Sequence, residues 1–226
     1  MLFRSDEIVE PDLAAEIAAK LPNLPPDVTG VNLKRKHIFM GRWIKHGGRY
    51  PLTLLRIWRR GKAVIEDRWM DEHMRLTSGR AVTFDGGFAD CNLNDLTYFI
   101  DKHNKYATRE AVDVLNQRYH LFARDEALSA EGSSRQAAFK RFVKERIYNR
   151  LPFWLGPLCY FLYRYVLQLG FLDGRPGLVY HFLQGFWYRF LVGAKVNELD
   201  GVIRTIPGAD AKIATLTKLT GLKLQR

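Results

Sequence analysis

Cysteine is nearly absent from this chain, with only Cys91 and Cys159 among 226 residues. Two cysteines so far apart make neither a disulfide framework nor a metal-ligand spacing, and their scarcity fits a reducing compartment. Also missing is any unbroken run of about 20 apolar residues, the length a bilayer-spanning helix needs. Two aromatic blocks come nearest. FWLGPLCYFLYRYVLQLGF is interrupted by Gly156-Pro157, Arg164 and Gln168, and GLVYHFLQGFWYRFLVGAK by His181, Gln184 and Arg189. An arginine at the centre of a span costs about 2.5–3.5 kcal/mol on insertion scales. The blocks therefore read as helices that lie in a membrane interface, or dip in and return, or as a buried helical hairpin. The chain has no Walker loop, GxGxxG, paired-Cys zinc motif or GxSxG elbow, so nothing points to the chemistry those motifs carry. Residues 1–20 carry acidic side chains in place of the basic start and apolar run of a signal peptide.

Acidic residues are scarce in one part only. Residues 1–131 hold 20 Lys and Arg against 19 Asp and Glu, whereas residues 132–226 hold 15 against 5. Nearly all of the net charge of +11 thus lies in the last 95 residues. Thirteen of the 29 Phe, Trp and Tyr fall between Leu151 and Leu191. Basic plus aromatic suits nucleic acid or an anionic membrane. Here the aromatics cluster with Leu and Val and do not alternate with Lys and Arg, which argues for the membrane and against nucleic acid.

What is present reads as an α/β chain. SDEIVEPDLAAEIAAKL predicts a loop and then a helix, with Pro11 at an early helical position and acids at the positive end of the dipole. LPNLPPD closes it. GVNLKRKHIFMGRWI predicts a strand, HGGRYP a turn, and LTLLRIWRRGKAVIE more strand with a break at Gly61-Lys62. Residues 81–89 predict a short strand ending at Gly86-Gly87. From Leu93 the stretch LNDLTYFIDKHNKYATREAVDVLNQRY, residues 93–119, reads as helical, with apolar residues from Leu96 to Leu115 at roughly three and four residue steps. The polar stretch 123–136 is the expected linker between a domain over residues 1–122 and a helical region over 137–226. That region opens with AFKRFVKERIYNRLPFW, whose stripe of Phe139, Phe142, Val143, Ile147 and Leu151 beside Lys140, Arg141, Lys144 and Arg146 makes a basic amphipathic helix.

RWMDEHM, residues 68–74, sets Asp71 and Glu72 among Trp69, Met70 and Met74. Partial burial raises a carboxylate's pKa and suits it to accept a proton or hold a cation. The alternative is a strand end whose acids face water.

Taken in order, SDEIVEPDL, HGGRYP, LLRIWRRGKA, MDEH, DKHNKYA, FLDGRPGL and WYRFLV resemble the bacterial family 2 glycosyltransferases that build envelope polysaccharide or lipopolysaccharide cores. The resemblance covers almost the whole chain. It implies the C-terminal part of a GT-A-like nucleotide-sugar transferase domain (the acceptor half, 1–122), followed by an aromatic, basic membrane-associated helical region. It also implies that the nucleotide-binding half of such a domain lies outside the chain. Where the family writes Asp-Ala-Asp-Glu, this chain has Arg4-Ser5-Asp6-Glu7, so the resemblance makes Asp6 a contact for a divalent cation, Mg²⁺ or Mn²⁺. Asp6 alone supplies too few oxygens and needs Asp71, Glu72 or the other half beside it. As an alternative, Asp6 is a first-turn acid of the helix that follows.

In similar proteins an acid at the MDEH position is the general base of an inverting transfer. That implies Glu72 as base with Asp71 as neighbour, or the reverse. Arg56 has a fork suited to a diphosphate or an acidic sugar, or is a strand-surface arginine. Lys102, His103 and Tyr106 lie within one helical turn and either touch the nucleotide or face solvent. His46 and Tyr50 flank a turn whose backbone either accepts a ligand or is plain. The expected partners are a nucleotide-sugar donor, a saccharide or lipid-linked acceptor and an anionic membrane surface, with no nucleic acid. The expected location is the cytoplasmic face of the bacterial inner membrane. A non-catalytic fragment that keeps only acceptor and membrane binding is the alternative.

Overall fold

A computed structural model of the chain describes residues 6–65, 74–122 and 152–224. The fold is mixed α/β, as expected. Strand β1 (Glu7–Val9) leads into helix α1 (Pro11–Lys20), and Pro11 does occupy the first helical turn. There its missing N–H costs nothing and its fixed φ is already helical. Four more strands of the same sheet follow, β2 (Val28–Phe39), the three-residue β3 (Arg42–Ile44), β4 (Leu52–Trp58) and β7 (Arg80–Cys91), with the short pair β5 (Ala63–Ile65) and β6 (Met74–Leu76) between the last two.

The five-stranded sheet runs β1-β7-β2, with both β3 and β4 paired to the far side of β2. One strand can serve two partners because it is 12 residues long: β4 takes Gly30–Arg35 and β3 takes His37–Phe39. β2 and β7 are parallel; the other pairings in this sheet are antiparallel. Parallel pairing needs a long crossover, and everything between Phe39 and Arg80 supplies it.

β7 does not end at Gly86-Gly87 but runs through to Cys91. The glycine marks a close approach. A Cβ on Gly86 would lie 2.6 Å from the Cα of Leu13, so the absence of a side chain lets α1 rest on the strand. Glu16 of α1 then accepts from the backbone N–H groups of Asp85 (3.1 Å) and Gly86 (2.7 Å).

The chain divides into two compact units. One takes the described residues up to Asp95 together with Leu162–Phe182; the other takes those from Leu96 onward apart from that stretch. This division differs from the expected boundary at residues 123–136, which lie outside the described residues, as does most of the basic amphipathic segment. The helix α2 (Leu96–Tyr119) belongs to the second unit and not to the sheet, because its buried face packs on later helices.

In the sheet unit, Leu13, Val31, Leu33, Ile57, Phe84 and Phe88 form the apolar core. In the helical unit, Ala107, Ala111, Val112 and Leu115 of α2 pack with Val192, Val196, Leu199 and Ile203, and with Ile213 and Leu216. The latter residues come from α5 (Tyr188–Ile203) and α6 (Ala209–Thr220). The aromatic blocks fold as α3 (Leu155–Leu162), a π-helical turn over Tyr163–Leu167, α4 (Gly174–His181), a second π-helical turn over Phe182–Trp187, and then α5. Among the described residues no helix is long and apolar enough to cross a membrane.

Candidate active site in the sheet unit

The HGGRYP turn between β3 and β4 is held by Leu162–Phe182, more than a hundred residues later. Gly47 and Gly48 take φ of 66° and 68°, values that disfavour any side chain. The N–H of Gly47 donates to the Gln168 carbonyl at 2.9 Å, and its carbonyl accepts from Arg164 Nε at 2.8 Å. A Cβ on Gly47 would fall 2.2 Å from Cε1 of His181, so glycine is also required by space. The backbone of Gly47 is therefore spent on the protein itself.

His46 meets Asp173, a residue for which sequence reading gave no role. Its backbone N–H donates to Asp173 Oδ2 at 2.9 Å, and its Nδ1 lies 2.6 Å from Oδ1. The Asp173 side chain is 3% exposed and the His46 side chain 32%. In the tautomer that carries its proton on Nδ1, that nitrogen donates to Asp173 Oδ1 and Nε2 is left as an acceptor. A half-exposed imidazole oriented by a buried carboxylate can take a proton from a hydroxyl or hold that hydroxyl by a hydrogen bond. His181, fully buried, stands with Nε2 3.8 Å from Asp173 Oδ2. Burial, reinforced by the cationic Arg164, pushes its pKa down to about 4, so it stays neutral near pH 7.

A second polar layer lies on the sheet. Arg35 Nη1 reaches Asp90 Oδ2 at 3.3 Å, and His37 Nδ1 is 3.7 Å from the same oxygen. Burial lowers the pKa of His37 and that of Arg35. The Tyr180 ring packs 4.9 Å from His37, with the guanidinium groups of Arg49 and Arg164 over its face.

Arg56 pairs with Glu7, whose side chain is 1% exposed, and lies over Phe88. It thus joins the SDEIVEPDL and LLRIWRRGKA stretches instead of presenting a free fork. Asp6 is in the same unit, where its carbonyl accepts from the Cys91 N–H at 2.8 Å. Among the described residues no three His, Cys, Asp or Glu side chains stand together so as to hold a metal ion. Glu7 and Asp90 are engaged by arginines, so the described donors do not make a divalent-cation site by themselves. Asp71 and Glu72 lie outside the described residues.

Lys102, His103 and Tyr106 belong to the helical unit. The ammonium of Lys102 lies 5.7 Å above the Tyr106 ring. His103 stacks on Phe99 at 3.9 Å, bonds through Nδ1 to the Phe99 carbonyl and meets Gln184 through Nε2. Both its nitrogens are engaged inside the unit, the arrangement of a packing histidine. Tyr188, from the WYRFLV stretch in α5, donates to Glu110 of α2 at 2.5 Å.

No family model matches the chain, and no solved structure matches it.

Proposed function

We propose that this chain carries the acceptor-side part of a family 2-like, GT-A-type glycosyltransferase of envelope polysaccharide or lipopolysaccharide synthesis. The observation that carries this reading is the convergence of motif stretches far apart in sequence. His46 of HGGRYP is held by Asp173 of FLDGRPGL, and Glu7 of SDEIVEPDL by Arg56 of LLRIWRRGKA. Buried charge pairs are costly, and chains keep them mostly where a site needs fixed polar groups.

In this reading the acceptor is a saccharide or a lipid-linked saccharide at the cytoplasmic face of an anionic membrane, and the donor is a nucleotide-sugar. Glu72 or Asp71 takes the proton of the attacking hydroxyl. The oxygen then bonds to the anomeric carbon as the nucleoside diphosphate leaves from the opposite side, inverting the configuration. His46 holds a second acceptor hydroxyl through Nε2, with Asp173 fixing the ring. Positioning by such a group, and not proton transfer, is its share. No role for Arg56 in gripping the diphosphate is retained, since its fork is committed to Glu7.

The test is transfer of a radiolabelled sugar from a panel of nucleotide-sugars to core saccharides or lipid-linked acceptors, with Mn²⁺ present. Glu72→Gln or Asp71→Asn should lower the rate by about 10²- to 10⁴-fold, the range of a lost general base. Turnover unchanged in both variants sinks the mechanism. Acceptor binding with no transfer from any donor supports the binding-only alternative, which the commitment of Arg56 to Glu7 favours.

A further inference from the structure

The segment Leu162–Phe182 has two faces of opposite character. Arg164, Asp173, Tyr180 and His181 are buried against the sheet and the HGGRYP turn. The other side is apolar and open to water. Leu162 and, in the π-helical turn that follows it, Tyr163, Val166 and Leu167 are exposed while Arg164 is buried, and Phe171 and Leu172 are exposed a few residues farther on. These six side chains are 46–73% exposed. Clustered exposure on this scale marks an interaction surface, whereas single exposed leucines do not.

Charge identifies what it meets. The sole acid between Leu162 and Phe182 is Asp173, which is buried. Arg175 is exposed on the segment, and the exposed Arg42 borders it, donating through Nη2 to the Leu172 carbonyl at 3.3 Å. An apolar face edged by arginines and free of exposed acid is complementary to the acyl–headgroup boundary of an anionic bilayer. Two copies paired face to face would set Arg42 and Arg175 against their own kind.

We propose that the outward face of Leu162–Phe182 docks the sheet unit on an anionic membrane, with the apolar side chains inserted at the headgroup boundary and Arg42 and Arg175 on lipid phosphates. The inference rests on the reading of a membrane as partner and is independent of sugar transfer. It places the contact on the element whose inner face holds His46, not on the basic segment before Leu151.

The experiment is flotation of the full chain with vesicles of phosphatidylcholine containing phosphatidylglycerol, with neither donor nor acceptor present. Binding to anionic vesicles is expected, and Leu167→Gln with Leu172→Gln should weaken it by about tenfold or more, given the apolar area withdrawn from the bilayer. Leu219→Gln, at an exposed position of the helical unit, should change it by less than about twofold. Hydrogen exchange of the unaltered chain adds a readout that no misfolded variant can confuse, with slowing expected at 162–172 when vesicles are added. Full binding by the double variant overturns the proposal, as does protection confined to other residues or no vesicle binding at all. A dimer dispersed by the double substitution, without vesicle binding, makes the face a contact between copies and also overturns it. Failure of the transferase reading would leave every one of these readouts unchanged.

Discussion

The two units of this molecule solve the problem of an interior in different ways. The helical unit fills its centre with Ala107, Ala111, Leu115, Val196 and Ile203, and its buried polar groups mostly pin the chain. Asn116, for instance, accepts from the N–H groups of Leu121 and Phe122, both at 2.9 Å, and ends α2. The sheet unit keeps an apolar layer but adds Glu7 with Arg56, Asp90 with Arg35, and Asp173 with His46. An apolar interior stabilises through area and fit, whereas a paired polar interior yields little net stability and is costly to break. Such an interior persists where groups must be held in fixed positions, and the proposed function assigns its acceptor-holding groups to that sheet unit.

The comparison can be broken by removing one member from each interior. Glu7→Ala leaves the Arg56 guanidinium largely buried beside no carboxylate and should destabilise by about 4 kcal/mol. Leu115→Ala opens a cavity in the helical unit and should cost about 3 kcal/mol. Urea denaturation followed by circular dichroism measures both. A Glu7→Ala cost under about 1 kcal/mol, in the range of a surface pair, would show that the polar interior is not integral to the sheet unit.

Acidification sharpens the contrast. His181 has a folded pKa of about 4, below the ordinary value of 6.5, because it is buried and faces Arg164 and Arg49, with Asp173 opposing them. The unfolded chain then takes up a proton first as pH falls. Stability from this group is fully present above about 6.5 and is lost on the way down to about 4, by of order 3 kcal/mol. His37, also lowered by burial, adds in the same direction. Melting between pH 7 and 4.5 should show the fall, and His181→Phe should flatten it; an unchanged slope in that variant assigns the effect elsewhere. Least affected should be Lys20→Ala, which removes only the exposed ammonium paired with Glu16 and should leave the melting temperature nearly unchanged.

Local features of the fold were legible in the sequence because local chemistry sets them. Pro11 marked the start of α1, LPNLPPD its end, and the period of α2 its buried face. The Gly86-Gly87 pair misled because glycine in a strand can mark either an end or a neighbour that comes close, and only the position of Leu13 tells which. The site was legible only in halves. HGGRYP and FLDGRPGL both stood out, but nothing local says that His46 and Asp173 meet. Their joining depends on the tertiary path of the 126 residues between them. A lone aspartate before Gly174 reads as a turn residue until its burial is known. Arg56 looked available for a ligand for the same reason, its partner Glu7 being 49 residues away.

The late return of Leu162–Phe182 to the sheet unit also sets a schedule. Asp173 leaves the ribosome roughly 6 to 25 s after His46, at ordinary rates of synthesis. Until then the sheet has its strands but not the segment that buries His37 and Phe39, and the HGGRYP turn has no carboxylate to hold it. A nascent chain stalled before Leu162 would present that uncovered face to whatever is nearby. Completing the unit is therefore a task for the last third of the chain, and chaperone dependence should concentrate in the interval before it arrives.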